Sequence, residues 1–400
     1  MKRSKLILMV SLIISLTGCS VKEADTFDPA PYIDYCVEKA VTTVESLKGE
    51  TELPRNILQG QTEWNLVNVH DWCSGFGPGY LWYAYEASKN PAILAKAQEQ
   101  TESLKEILDV PVANHDLGFM LYCSMGNGLR LTGNEDYKNF LLTTADSLAT
   151  LYNPTVGTIL SWPEMVDKMG WPHNTIIDNM INLELLFWAA KNGGDQRLYD
   201  IAVSHATVCM TSLIRPDYTT YHVAVFDTIT GDFIKGVTHQ GYADDSQWAR
   251  GQGWGIYGYA MSYRETGNKK FLETSCKLAD VFINLLPEDG IPYWDFNDPK
   301  IPNSPKDASA AGVAASGMLE LSTLVEDEAL QQKYYDAAVA LLKELSTDKY
   351  LSKDTNQAAL LHSTGHYPNG SEIDASIIYA DYYYLEALLR LKKINEQKNL

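Results

Sequence analysis

Along the chain, one pattern of apolar and polar positions recurs. A long irregular stretch leads into a helix that is apolar nearly all round and rich in Gly and Ala. A tight polar turn follows, and then a helix carrying Lys and Glu on one face. Helices of the first kind are predicted at about 76–88, 116–132, 178–192, 250–266, 309–325 and 375–392, and they should be buried. Segments such as GQGWGIYGYA and SAAGVAASGM carry the small residues that let such helices pack closely. Amphipathic helices are predicted at about 91–108, 135–151, 196–213, 269–286 and 329–346, with an initial one at about 31–48. The turns read as Ser88-Lys89-Asn90-Pro91, Thr132-Gly133-Asn134, Asn192-Gly193-Gly194-Asp195 and Thr266-Gly267-Asn268, where Gly and Asn supply the left-handed residue that ends a helix. A fifth, Val325-Glu326-Asp327, lacks Gly. Tyr221–Phe226 alternates as a strand would, and little else does.

Twelve helices of two alternating kinds imply an all-α fold, an (α/α)6 barrel with six inner and six outer helices. An open solenoid fits less well, because the repeats have no fixed period and no polar terminal caps. In a barrel, the segments 49–75, 109–115, 152–177, 214–249, 287–308 and 347–374 all precede inner helices and share one rim. They hold most of the Trp and His, so the functional face belongs there.

The first residues break the pattern. Lys2, Arg3 and Lys5 precede an apolar run from Leu6 to Leu16, shorter than the roughly 20 residues that span a bilayer. The run ends in Leu16-Thr17-Gly18-Cys19, which resembles a bacterial lipobox. Residues 1–18 are therefore expected to be a lipoprotein signal peptide, and 19–400 a single barrel domain anchored to the cell envelope through a lipid on Cys19, facing the periplasm or the outer surface. An ordinary cleaved signal is the alternative. The remaining chain has 29 basic and 51 acidic residues, a net charge near −22. That excludes nucleic acid as a partner, since its binding needs clustered Lys and Arg. Cys36, Cys73, Cys123, Cys209 and Cys276 are odd in number and lie in helical apolar patterns, so they read as buried free thiols.

Two aspartates stand at the mouths of apolar helices, Asp116 in HDLGFMLYC and Asp178 in IIDNMINLELLFWAA. Each is either an N-terminal cap or a reagent. Paired carboxylates on successive inner helices suit glycoside chemistry. Apolar neighbours Ile176, Ile177 and Met180 should raise the pKa of Asp178, and Asn174 or Thr175 could supply a cap upstream. His115 could hydrogen-bond Asp116 and keep it ionised. Arg250 begins an inner helix, at the unfavourable end of its dipole, and needs an anion. Asp244 or Asp245 could provide one, or an acidic substrate group could. Four-residue spacing would put Arg250 and Trp254 on one face, a cation beside a stacking platform. Trp162 is a loop tryptophan at the same rim. The eight histidines show no metal signature, and neither a G-x-S-x-G elbow nor a phosphate loop is present, so no metal and no cofactor are expected.

The ordered set HDLGF, IIDNMINLELLFWA and GVTHQGYADDSQWARGQGWGIYG resembles unsaturated glucuronyl hydrolases, and the resemblance extends over essentially the whole chain after the signal. It implies an (α/α)6 barrel acting on the unsaturated uronic acid that polysaccharide lyases leave at oligosaccharide ends, so the expected partner is a small acidic oligosaccharide. By similarity, Asp178 matches the acid/base aspartate and Asp116 the second essential one. His115, Trp162, His222, Gln240, Trp248, Arg250 and Trp254 fall where the family lines its sugar pocket. Gly236 and Thr238 match the segment contacting the next sugar, and Tyr367 and Ser371 the region that discriminates sulfate. The implied reaction hydrates the C4=C5 enol ether. An unsaturated rhamnogalacturonyl hydrolase and a non-catalytic glycan-binding lipoprotein are the rival readings.

Overall fold

The polar turns both end one helix and start the next. Gly133, at φ 68°, closes its helix with an N–H returned to Leu129 O at 2.8 Å, and Asn134 then accepts the Asp136 N–H at 3.0 Å as the cap of the following one. Gly267 and Asn268 repeat the arrangement, with φ 69° and a 3.1 Å bond from Lys270 N. In the first turn the left-handed residue is Lys89, and Asn90 caps the next helix. Asp195 and Asp327 also cap. A side-chain cap of this kind contributes about 1 kcal/mol, and here it fixes where each helix pair reverses.

The computed structural model describes residues 27–112 and 114–398; the expected signal peptide and Cys19 lie outside them. The barrel helices are α1 (Ala30–Ser46), α2 (Phe76–Ser88), α3 (Pro91–Ser103), α4 (Gly118–Gly126, a π-helix, continued by Asn127–Thr132), α5 (Glu135–Ala149), α6 (Asn179–Lys191), α7 (Gln196–Ser212), α8 (Ala249–Thr266), α9 (Lys269–Leu285), α10 (Ala308–Leu324), α11 (Glu328–Leu345) and α12 (Ile378–Lys398). The even-numbered helices touch in cyclic order, and α12 returns to pack on α2. That closure distinguishes a barrel from a solenoid. Each odd-numbered helix packs outside the ring, α3 on α2, α5 on α4, α7 on α6, α9 on α8 and α11 on α10, while α1 covers the joint between α2 and α12. The fold is the expected (α/α)6 barrel.

Close approach of the inner helices depends on missing side chains. A Cβ on Gly258 of α8 would lie 2.4 Å from Met180 Cβ on α6, and one on Gly317 of α10 would lie 2.9 Å from Tyr257 Cα on α8. Neither pair could pack this closely with alanine.

The rim loops carry more strand than the sequence suggested. β1 (Leu53–Ile57), β2 (Asn65–Val67) and β6 (Ser376–Ile377) form one antiparallel sheet in the order β2-β1-β6. β3 (His173–Ile176), β4 (Val223–Phe226) and β5 (Phe233–Val237) form another in that order. The expected strand is present but begins at Val223. β3, which was not expected, is buried at all four positions, so it offered no alternation to read. β1 pairs with β6 through Asn56 and Ile377, tying the first rim loop to the last. All five described cysteines are free; four are buried and Cys276 is half-buried. No described helix is long and apolar enough to cross a membrane.

Candidate active site

β3 runs directly into α6, and Asp178 is the residue at the junction. Its backbone is already helical (φ −57°, ψ −33°), and its side chain makes no capping bond. The suggested upstream caps belong to β3 instead. Asn174 exchanges two 3.0 Å bonds with the Trp162 backbone, and the Thr175 hydroxyl donates to Ile159 O. At α4 the cap position is Leu117, again without a side-chain cap, and the backbone N–H of Asp116 is held by Asn114 Oδ1. Neither aspartate is therefore a cap. They are only 7% and 6% exposed, and Asp178 Oδ2 has no hydrogen-bond partner in the protein.

Burial dominates the electrostatics. It pushes Asp178 up to about 7, helped by the nearby Asp116 charge and opposed by Arg250. It pushes Asp116 up to about 8, opposed by the amide of Asn182. Two desolvated carboxyls within Coulombic reach titrate as a pair and hold a proton between them near neutrality. The expectation that His115 keeps Asp116 ionised is corrected here. His115 is itself buried, its pKa is lowered to about 3, and its neutral ring stands with Nε2 3.5 Å from Asp116 Oδ1 without a hydrogen bond. Removing the Asp116 charge should lower the pKa of Asp178. The residual turnover of Asp116→Asn is therefore expected to lose its alkaline limb at lower pH than the wild type. A pH–kcat profile checks this, and an unmoved limb would show that the two carboxyls are not coupled.

His222 is oriented from behind. Its Nδ1 accepts the backbone N–H of His239 at 3.1 Å and of Gln240 at 3.0 Å. The ring proton must then sit on Nε2, which lies 3.7 Å from Asp178 Oδ2. Burial holds the imidazole far below its usual range, so it is a neutral donor turned toward Asp178. Trp248 packs on His222 at 4.6 Å and Trp162 edge-on at 5.5 Å. Among the described residues, buried polar atoms without a protein partner gather at this floor, including those of His115, Asp178, Asn179, His222 and Trp254. Such a concentration is what a polar ligand site requires. No three described His, Cys, Asp or Glu side chains gather closely enough to hold a metal ion.

Arg250 is 1% exposed and pairs with neither Asp244 nor Asp245. Its Nη1 donates to Asp307 Oδ2 and to Thr364 O, both at 2.7 Å, and its Nη2 to Gly365 O at 2.6 Å. The guanidinium lies over Trp248 at 4.6 Å and Tyr379 at 5.4 Å, not beside Trp254 as its spacing suggested. Trp254 is buried against Phe119 and Tyr383. Gln240 reaches Gly365 O at 3.5 Å. Gly236 lies in β5, where a Cβ would meet the Tyr221 ring at 2.5 Å, and Thr238 closes its own loop through Asp244 Oδ1 and Gly241 N. Tyr367 stacks on Trp294 and lines a neighbouring cavity of about 470 Å³, while Ser371 pairs its backbone with His366.

Sequence reading missed His239 and His366, whose rings meet edge to face at 4.8 Å, with Trp162 5.2 Å from His239. It also missed Asn179, Asn182 and Tyr379. The flanking Thr238 and Gln240 were the available signal for His239, and polar residues inside an apolar helix were the signal for the two asparagines.

A family model described as Glycosyl Hydrolase Family 88 matches residues 42–390. The chain belongs to that family. It is 42% identical over 351 residues to an unsaturated glucuronyl hydrolase of Formosa agariphila, covering 86% of each chain. An unsaturated chondroitin disaccharide hydrolase of Streptococcus pyogenes serotype M1 is 36% identical, with 83% of this chain and 84% of that one covered. A crystal structure of an unsaturated glucuronyl hydrolase specific for heparin superposes with a TM-score of 0.85 at 42% identity, over 92% of this chain and 98% of that one. This family 88 chain is thus a glycosidase, and the non-catalytic alternative falls.

Proposed function

We propose that the protein removes 4,5-unsaturated glucuronic acid from the non-reducing ends of lyase-generated glycosaminoglycan oligosaccharides. The observation that carries this reading is the desolvated Asp178 carboxyl, protonated up to about pH 7, with an unpartnered oxygen beside the His222 Nε2–H. An enol ether suits such an acid, because proton transfer from a carboxyl to its C4 is accelerated when donor and carbon are held together. Asp178 delivers its proton to C4 as the C4=C5 pair takes it, and positive charge develops at C5 and the ring oxygen. The Asp178 carboxylate then accepts a proton from water as the water oxygen bonds C5. The hemiketal opens to a C5 ketone, leaving a hemiacetal at C1 that releases the partner sugar. Asp116, across the floor, binds the uronate hydroxyls and offsets the positive charge when ionised. Aromatic faces of Trp162 and Trp248 frame the sugar.

Relatives acting on heparin and on chondroitin products are both similar to this chain. A panel of chondroitin, hyaluronan, heparin and pectin lyase products therefore tests the reading. Loss of the ultraviolet absorbance of the conjugated double bond is expected with glycosaminoglycan products. Turnover confined to the pectin product would replace the reading with a rhamnogalacturonyl one. The envelope location through a lipid on Cys19 belongs to the same proposal, and Cys19→Ala is expected to move the protein from the membrane to the soluble fraction. Unchanged fractionation would refute the anchor.

A further inference from the structure

The end of the last rim loop, residues 362–375, folds back on itself over the mouth. Ser363 and Ala375 exchange backbone bonds at 2.8 Å, Gly365 N–H donates to Glu372 O at 2.8 Å, and His366 and Ser371 exchange bonds at 3.1 Å. One arm of this hairpin meets the site. The Thr364 and Gly365 carbonyls receive Arg250, and the His366 ring meets that of His239. The other arm holds a residue ill suited to its backbone. Glu372 has φ 54°, a left-handed conformation that penalises any residue with a Cβ and that glycine adopts freely. Its side chain explains why glutamate stands there nonetheless. Glu372 is 7% exposed, and its Oε1 turns inward to accept Arg55 Nε at 2.9 Å and Asn56 Nδ2 at 2.6 Å, both from β1. Gly365 leaves the carboxylate room, since a Cβ at that position would overlap it. Arg55 also pairs with Asp71, so the clasp is anchored in the first rim loop.

We infer that Glu372 is a positioning residue: clasped by Arg55 and Asn56, it holds the 362–375 hairpin closed and so shapes the outer mouth, where the second sugar of the substrate sits. This rests on the function proposed above. With the unsaturated uronate on the floor between Asp116 and Asp178, the rest of the oligosaccharide must leave past His239 and His366. Releasing the hairpin weakens the hold on that second sugar, while Arg250 keeps Asp307 and the floor keeps its geometry. Glu372→Ala and Glu372→Gln test this against the wild type on two substrates, an unsaturated disaccharide and the methyl glycoside of 4,5-unsaturated glucuronic acid, which has no second sugar. Glu372→Ala is expected to melt cooperatively and to raise KM for the disaccharide about tenfold, with kcat, and kcat/KM on the methyl glycoside, within about threefold of wild type. Glu372→Gln keeps the shape and an acceptor for Asn56, and is expected to recover most of the lost KM. Amide hydrogen exchange in Glu372→Ala is expected to quicken over 363–375 and not in β3 or β4. Equal losses on the two substrates overturn the inference, because the second sugar would then not be what the hairpin holds. A wild-type KM for the disaccharide, or wild-type exchange over 363–375, in folded Glu372→Ala also overturns it. Failure of both variants to melt cooperatively does the same, by making Glu372 structural. A wild type inert on every unsaturated uronide would instead sink the proposed function itself.

Discussion

Asp178→Asn is expected to fold normally and to lose about 10³-fold or more in kcat. General acid or base catalysis is typically worth about 10²–10⁴-fold, and this one carboxyl serves both the proton delivered to C4 and the proton taken from water. The amide matches the carboxyl in shape, and no helix cap is lost because Asp178 makes none. The same variant has a stability signature whose sign is fixed. The folded-state pKa is raised to about 7, above the roughly 3.9 of an unfolded aspartate. The protonated form therefore contributes stability that is fully present below about pH 4 and is lost as pH rises through about 7. Asparagine cannot ionise, so the variant is expected to melt at least about 2 °C above the wild type at pH 8, with the gap closing toward pH 4. Turnover above about a tenth of wild type would remove Asp178 from the chemistry. A melting difference that does not grow with pH would show that its carboxyl is not desolvated.

What could be read from the sequence follows from how far each signal extends along the chain. The twelve helices were legible because each repeats its apolar period over several turns, and turns such as Gly133-Asn134 state both a stop and a start. The rim strands other than β4 were not, because they run only two to five residues and β3 is buried at all four positions. That omission had a chemical consequence. Once Asn174 and Thr175 belong to a strand, they cannot cap α6, and only then does the idle Asp178 side chain stand out. The two aspartates were recognisable as an unusual pair, but their pKa values depend on desolvation by residues far apart in the chain. Local reasoning offered sequence neighbours for each charge, His115 for Asp116, and Asp244 or Asp245, beside a substrate anion, for Arg250. Asp244 in fact accepts the Thr238 N–H, and the partner of Arg250 lies fifty-seven residues on, at the start of α10. His239 and His366 meet only because two rim loops, far apart in sequence, cover the same mouth.

The Asp307 carboxylate has two duties, and this determines what losing Arg250 does. Oδ1 caps α10, accepting the Ser309 N–H at 3.1 Å, while Oδ2 receives Arg250 at 2.7 Å, and both side chains are essentially inaccessible to solvent. Arg250→Ala would leave that carboxylate buried without its cation, and the Thr364 and Gly365 carbonyls without their donor. Breaking one side of a buried pair is worth about 3–5 kcal/mol, so a melting temperature lower by about 5–10 °C is expected. The pairing also predicts a catalytic effect that is separate from stability. Arg250 draws Asp178 toward ionisation, so removing it should raise the pKa of Asp178 and carry the alkaline limb of the kcat profile to higher pH. KM should change little, because the fork is already held by Asp307 and two carbonyls and is closed to a substrate carboxylate. The double variant Arg250→Met with Asp307→Asn separates the two effects. It removes the orphaned charge and should recover most of the lost melting temperature, yet it should keep the shifted limb, since the cation is still missing. A large rise in KM in Arg250→Ala at full stability would instead mean that the guanidinium turns to the substrate. Recovery of the wild-type limb in the double variant would show that Arg250 never acted on Asp178.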